Sequence, residues 1–125
     1  MNAKTPKRIL VAEDDRTTAR IYQLHFRRAG LEGHFFERAA PAMDAAARLA
    51  PHLALLDYEL PDMRGLEIMR ALHAIPGCEH TPVIFVTGRA KPSLIASLEE
   101  AGAVAVLGKP FSPAALIRQI QRLVA

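Results

Sequence analysis

Leu53-Ala-Leu-Leu-Asp57-Tyr-Glu-Leu-Pro61-Asp-Met-Arg-Gly65 is the stretch that decides the fold. A short apolar run ends in a single acid, and a proline four residues later stops any regular continuation. A strand buried on both faces of a parallel sheet looks like this when it delivers a carboxylate to the rim of the sheet. In open α/β sheets that rim, outside the carboxyl ends of the strands, is where ligands and chemistry are found. The rest of the chain is therefore read for other strands that bring partners to Asp57.

Toward the N-terminus, Ile9-Leu-Val-Ala12 is a second apolar run, and it ends in Glu13-Asp14-Asp15. The spacing of apolar residues predicts a helix from Arg16 to Ala29, capped by Asp15 or Thr17 and stopped by Gly30. A weaker strand is expected around His34–Glu37, and an alanine-rich helix from Pro41 to Ala50. The central strand is placed at His52–Leu56. After it come a helix over Leu66–Ala74, a strand over Pro82–Thr87 and a helix over Pro92–Ala101 with Ser93, Ser97, Glu99 and Glu100 on its polar side. A fifth strand, Ala103–Leu107, runs into Gly108-Lys109-Pro110-Phe111. Ser112 caps a last helix with Pro113 at its first position and an apolar stripe of Leu116, Ile117, Ile120, Leu123 and Val124. Five strands alternate with five helices through short connections. That rhythm predicts a doubly wound, five-stranded parallel sheet with helices on both faces, in one domain over residues 1–125.

Composition agrees with a globular chain: 125 residues, half of them apolar and 23% charged. Cys78 is the only cysteine, which excludes a disulfide framework and a cysteine zinc site. The five histidines, His25, His34, His52, His73 and His80, show no metal-ligand spacing and are read as surface or strand-end residues. The start Met-Asn-Ala-Lys-Thr-Pro-Lys-Arg is charged, but no apolar core follows it, unlike a secretory signal. No apolar run approaches the ~20 residues that cross a bilayer, so a cytoplasmic protein is expected. The net charge of +3 is spread along the chain and reads as solvation rather than a nucleic-acid surface.

Four strand ends thus carry reactive groups: Glu13 and Asp14, Asp57, Thr87, and Lys109. Carboxylates converging on one rim repel one another and invite a hard divalent cation such as Mg²⁺. A lysine opposite them offers a compact positive charge for an anion, and a threonine hydroxyl can bind a further oxygen. The set suits a phosphoryl group on a carboxylate, with the aspartate as nucleophile.

The order and spacing of these motifs closely resemble the CheY-like receiver domain of bacterial two-component response regulators, over the whole chain. Ile9-Leu-Val-Ala-Glu-Asp-Asp15, Leu56-Asp-Tyr-Glu-Leu-Pro-Asp-Met-Arg-Gly65, Val83-Ile-Phe-Val-Thr-Gly88 and Gly108-Lys-Pro-Phe111 carry the resemblance. It implies a flavodoxin-like fold and a phosphoacceptor, Asp57, that is charged by a sensor histidine kinase, a phosphotransfer protein or a small phosphodonor. It implies Mg²⁺ held by Asp14, Asp57 and the backbone carbonyl of Glu59, with Glu13 acting mainly through water. It also implies contacts from Thr87 and Lys109 to the phosphoryl oxygens, and a cis bond at Lys109–Pro110. The activity implied is signalling rather than metabolic turnover. The change is read by a downstream protein or an output domain, without direct nucleic-acid or membrane binding, and a phosphorylation-dependent dimer is compatible with it. No output domain follows Ala125, which suits both a free-standing regulator and a receiver cut from a longer chain.

Some positions depart from the family pattern. Val106 stands where the family usually has an aromatic residue that swings inward on activation, so aromatic gating is expected to be absent or replaced. Arg64 replaces a frequent aspartate and is read as a neutral loop change. Glu59 and Arg89 are expected to flank the site, either as an ion pair that restricts the attacking water or as two solvated charges. Cys78 is read as an incidental loop thiol, and Tyr22, Phe26, Phe35, Phe36 and Phe85 as core. A pseudo-receiver that serves only as a protein-interaction module is the alternative, favoured by Val106 alone. A haloacid-dehalogenase-type phosphatase would want its nucleophile on the first strand, and a flavodoxin would want a phosphate loop where Glu13-Asp14-Asp15 stands.

Overall fold

The computed structural model describes residues 5–125; the first four residues of the charged start, and with them part of the reading against a secretory signal, lie outside the described residues. Strands and helices alternate as β1 (Arg8–Ala12), α1 (Arg16–Ala29), β2 (Glu32–Phe36), α2 (Ala39–Leu49), β3 (Leu53–Asp57), α3 (Gly65–His73), β4 (Val83–Thr87), α4 (Pro92–Glu100), β5 (Ala105–Gly108) and α5 (Pro113–Leu123). The five strands form one sheet in the order β2-β1-β3-β4-β5, and every neighbouring pair is parallel. No helix among the described residues is long and apolar enough to cross a membrane.

Alternation along the strands divides the core into two layers. Leu10, Ala12, Ala54, Leu56, Val83 and Phe85 face one side and pack with Ala42 and Ala46 of α2, Ile68 and Leu72 of α3 and Leu98 of α4. Ile9, Val11, Leu53, Leu55, Ile84 and Val86 face the other and pack with Tyr22 and Phe26 of α1 and Leu116 and Ile120 of α5. Because both faces are covered, β3 and β4 are buried at all five positions. These are the continuous apolar runs that stand out in the sequence.

The helix ends follow local chemistry where a local signal exists. Asp15 accepts hydrogen bonds from the Thr18 amide at 3.0 Å and the Thr18 hydroxyl at 2.6 Å, and Gly30 closes α1 in the left-handed region at φ 73°. Ser112 accepts from the Ala115 amide at the start of α5. Most boundaries fall within one residue of the expected ones, and three elements differ by more. The second strand covers Glu32–Phe36 rather than His34–Glu37, because pairing starts at Arg8↔Glu32 and the Lys7 carbonyl accepts from the Glu32 amide. Its edge position leaves it half exposed, and Gly33 is needed where the Phe35 and Phe26 rings lie against the backbone. The fifth strand begins at Ala105, not Ala103, since register with β4 starts at Ile84↔Ala105.

Helix α2 begins at Ala39, two residues before the expected Pro41, for a reason no local signal carries. Its own cap position, Arg38, makes no side-chain bond to the helix. Instead the carboxylate of Asp62 accepts from the Ala39 amide through Oδ1 and from the Ala40 amide through Oδ2, both at 2.8 Å. The next residue, Pro41, has no N–H to satisfy. Two other expectations fail on packing. Cys78 is not a loose loop thiol but a core residue, 1% exposed, with Sγ directed at the Ala46 carbonyl of α2 at 3.7 Å. Leu123, placed on the buried stripe of α5, is 40% exposed, while Leu116, Ile120 and Val124 carry the packing.

Gly65, at the start of α3, holds φ 50°, and a Cβ there would lie 2.5 Å from Cε1 of the Tyr58 ring. Gly65→Ala is therefore expected to cost about 1–3 kcal/mol, from left-handed strain and from displacement of Tyr58, measured as a shift in urea midpoint. An unchanged midpoint would mean that neither the left-handed backbone nor the Tyr58 ring resists the added methyl.

Candidate functional site

The parallel register brings the acids together. Ala12 pairs with Leu56, so Glu13, just past the end of β1, and Asp57, the last residue of β3, come side by side at the same rim. Asp57 in turn pairs with Val86, which places Thr87 one step beyond it, and Thr87 pairs with Gly108 immediately before Lys109. The Thr87 carbonyl accepts from the Lys109 amide at 2.8 Å and fixes where that side chain starts. The Lys109–Pro110 peptide is cis, as expected.

Lys109 spans the two buried acids. Its ammonium lies 3.0 Å from Glu13 Oε1 and donates to Glu13 Oε2 and to Asp57 Oδ2, each at 3.1 Å. Two backbone amides add to these bonds: Asp15 donates to Glu13 Oε2 at 3.0 Å, and Glu59 donates to Asp57 Oδ1 at 2.9 Å. The electrostatics follow from this packing. Burial, above all, pushes the Glu13 carboxyl up to about 7; the Asp57 charge adds to the rise, while the Asp15 amide and Lys109 oppose it. Burial disfavours the charged Lys109 ammonium, yet its bonds and attraction to Glu13 and Asp57 outweigh that and hold it above its usual range.

Asp14 is exposed, and one carboxylate oxygen from each of Glu13, Asp14 and Asp57 falls within 4.8 Å of the others. Among the described residues, buried Glu13 Oε1 accepts no directed hydrogen bond and meets only the Lys109 ammonium. An all-oxygen set of three converging carboxylates, one of them exposed, fits a hard divalent cation. Thr87 is fully buried, and its Oγ1 accepts from the Arg89 amide at 3.1 Å; among the described residues its own O–H is given to no acceptor, so it remains able to donate.

Of the two readings left open for Glu59 and Arg89, the ion pair is not formed: among the described residues no salt bridge joins them, and each acts through its backbone amide, on Asp57 and on Thr87. Asp15 serves as the cap of α1. Val106 is half-buried and packs against the α2–α3–α4 layer. Arg64 is an exposed loop residue whose backbone pairs with Glu59. The histidines stay outside the acidic cluster; His52 Nδ1 accepts from the Arg8 amide, and His34 pairs with Glu32.

Two residues near the site were not singled out by sequence reasoning for what they do. Asp62 ties the loop after Asp57 to α2, and the only local signal is an acid following Pro61. Tyr22, read simply as core, stacks on Phe111 with centroids 5.6 Å apart, and among the described residues its buried hydroxyl has no partner. Burial, with the Glu13 and Asp57 charges, holds that hydroxyl far above its ordinary pKa.

Residues 9–121 match the family model described as the response regulator receiver domain. The DNA-binding response regulator MtrA of Mycolicibacterium paratuberculosis is 30% identical over 115 residues, which is 92% of this chain and 50% of the relative. The chain thus spans about half the length of the first curated relatives it matches. The polar-differentiation response regulator DivK of Brucella anthropi is 28% identical over 93% of this chain and 94% of its own length. Among solved structures, the chemotaxis response regulator CheY4 of Vibrio cholerae superposes with a TM-score of 0.87 over 95% of this chain and 99% of that one; at 24% identity it speaks for the fold. The receiver domain of sensor histidine kinase PA1611 from Pseudomonas aeruginosa, solved with a magnesium ion coordinated in its active-site cleft, is 26% identical, with a TM-score of 0.85 over 96% of this chain and 98% of that one.

Proposed function

The chain belongs to the response regulator receiver domain family, and from that premise we propose that Asp57 accepts a phosphoryl group from a histidine kinase, a phosphotransfer protein or a small phosphodonor. The observation that carries this reading is one ammonium, Lys109, bonded to two buried carboxylates whose oxygens lie within 4.8 Å of a third, exposed one. Asp14, Asp57 and the Glu59 carbonyl would hold Mg²⁺, with Glu13 acting through water. The ion supplies charge neutralisation for the phosphoryl oxygens.

The chain's own groups do the rest. The Glu59 amide and Lys109 orient the Asp57 carboxylate toward the open rim. A bond forms between a carboxylate oxygen and phosphorus as the donor's P–N or P–O bond breaks, and the leaving group departs with its electron pair. Lys109 then exchanges Asp57 for a phosphoryl oxygen, and the free Thr87 O–H donates to another. Movement at Thr87 and the following loop passes to the face formed by α4, β5 and α5, where a partner or an output domain reads it. The chain takes up and loses its own phosphoryl group and turns over no metabolite. Residues 1–125 act as one receiver domain.

The test is to incubate the full chain with acetyl phosphate, or with phosphoramidate as a P–N donor, with and without Mg²⁺, and to follow intact mass. One phosphoryl group is expected, only with Mg²⁺, and borohydride reduction of the acyl phosphate should map it to Asp57. Uptake from neither donor, or uptake mapping elsewhere, overturns the reading.

A further inference from the structure

The loop between β3 and α3 is closed on itself at its base and tied to the rest of the molecule at its tip. At the base, the Tyr58 amide donates to the Val86 carbonyl, the Gly65 amide donates to the Tyr58 carbonyl, and Glu59 pairs with Arg64 across an antiparallel bridge. At the tip stands Asp62, exposed, its two oxygens bound to the Ala39 and Ala40 amides of α2. These amides are 23 and 22 residues away in the chain. Since Pro41 has no N–H and Arg38 provides no cap, the start of α2 depends on this loop. The dependence runs both ways, because the same two bonds fix the loop that carries Glu59, whose amide holds Asp57 Oδ1.

We propose that Asp62 is a positioning residue for the phosphoacceptor site: by gripping the start of α2 it holds the Tyr58–Gly65 loop, and with it the Glu59 backbone, in place against Asp57. This rests on the cation and phosphoacceptor reading above and extends it to a residue that touches neither the cation nor the phosphoryl group. Outer-shell groups that orient metal ligands act in this way, and their loss commonly costs about tenfold or more in affinity.

A helix cap and a positioning residue can be separated, because α2 can be given a cap of its own. Arg38 has the extended backbone of a cap position, φ −140° and ψ 161°, so Arg38→Asp can satisfy the Ala40 amide without touching the loop. Mg²⁺ affinity of the full chain would be measured by amide NMR titration, and opening of α2 by hydrogen exchange at Ala40. Asp62→Ala is expected to speed exchange at Ala40 and to weaken Mg²⁺ binding about tenfold. Adding Arg38→Asp to it should restore slow exchange and leave the affinity low. If Asp62→Ala binds Mg²⁺ as the wild type does, or if Arg38→Asp restores affinity along with exchange, Asp62 is a helix cap and the positioning role is overturned. A wild type that takes no Mg²⁺ at all overturns the cation reading itself, and the positioning role with it.

Discussion

Asp57→Asn is expected to gain no phosphoryl group from acetyl phosphate under conditions in which the wild type does, while its urea stability stays within about 1 kcal/mol of the wild type. The amide of asparagine is not a nucleophile, so no acyl phosphate can form. The fold should survive because the replacement is isosteric. Its oxygen can still accept from the Glu59 amide, and Lys109 keeps Glu13 as a partner. Two electrostatic changes oppose each other. Lys109 loses its charged bond to Asp57, but Glu13 loses a neighbouring negative charge that helps to raise its carboxyl. Uptake that persists in the variant would move the nucleophile to Glu13 or Asp14. A loss of several kcal/mol would instead make Asp57 chiefly a structural partner of Lys109, since breaking a buried pair leaves an uncompensated charge.

What could be read from the sequence follows from what each feature depends on. Asp57, Glu13, Thr87 and Lys109 stand at the ends of apolar runs, and parallel pairing alone carries such ends to one rim; the acids and the lysine were legible because a strand end is a local signal. The caps of α1 and α5 were legible for the same reason, as each is made within four residues. The edge strand β2 was misplaced by two residues because a half-exposed strand lacks the apolar run that marks β3 and β4. The start of α2 was misplaced because its cap comes from Asp62, across the sheet connection. Cys78 was misjudged because a residue beside Pro76-Gly77 looks like loop. Its amide donates to the Ile75 carbonyl in a turn that folds the thiol into the core. For Glu59 and Arg89 the sequence leaves open an ion pair or two solvated charges; both residues bond to the site through backbone amides, which carry no side-chain signature.

In the metal-free protein, Glu13 is expected to cost stability as the pH rises, and Glu13→Gln to remove that cost. The sign comes from proton binding. With its carboxyl raised from 4.5 to about 7, Glu13 holds its proton in the folded state over a range where the unfolded chain has lost it. Stability from this group is therefore complete below pH 4.5, declines from there to about 7, and is level above. At 1.36 kcal/mol per pH unit the decline amounts to about 3 kcal/mol. Other groups must be kept apart from it. Lys109 is held above 10.5, so its contribution disappears only in strong alkali. Asp15, Asp62 and Glu79 are held low by hydrogen bonds, so their contributions are lost only as pH falls below the usual carboxylate range. His52, held below 6.5 by burial and by Arg8 and Lys7, adds stability as pH rises and works against Glu13 over part of the same window. The quantity to measure is thus the difference between wild type and Glu13→Gln in urea unfolding from pH 4.5 to 8, with chelator present. It should shift by about 2–3 kcal/mol in favour of the variant, and a difference that stays flat would show that Glu13 is ionised without cost. Mg²⁺ at about a hundred times its dissociation constant should return about 2.7 kcal/mol to the wild type at pH 8, because a ligand that binds only the folded state stabilises it by mass action.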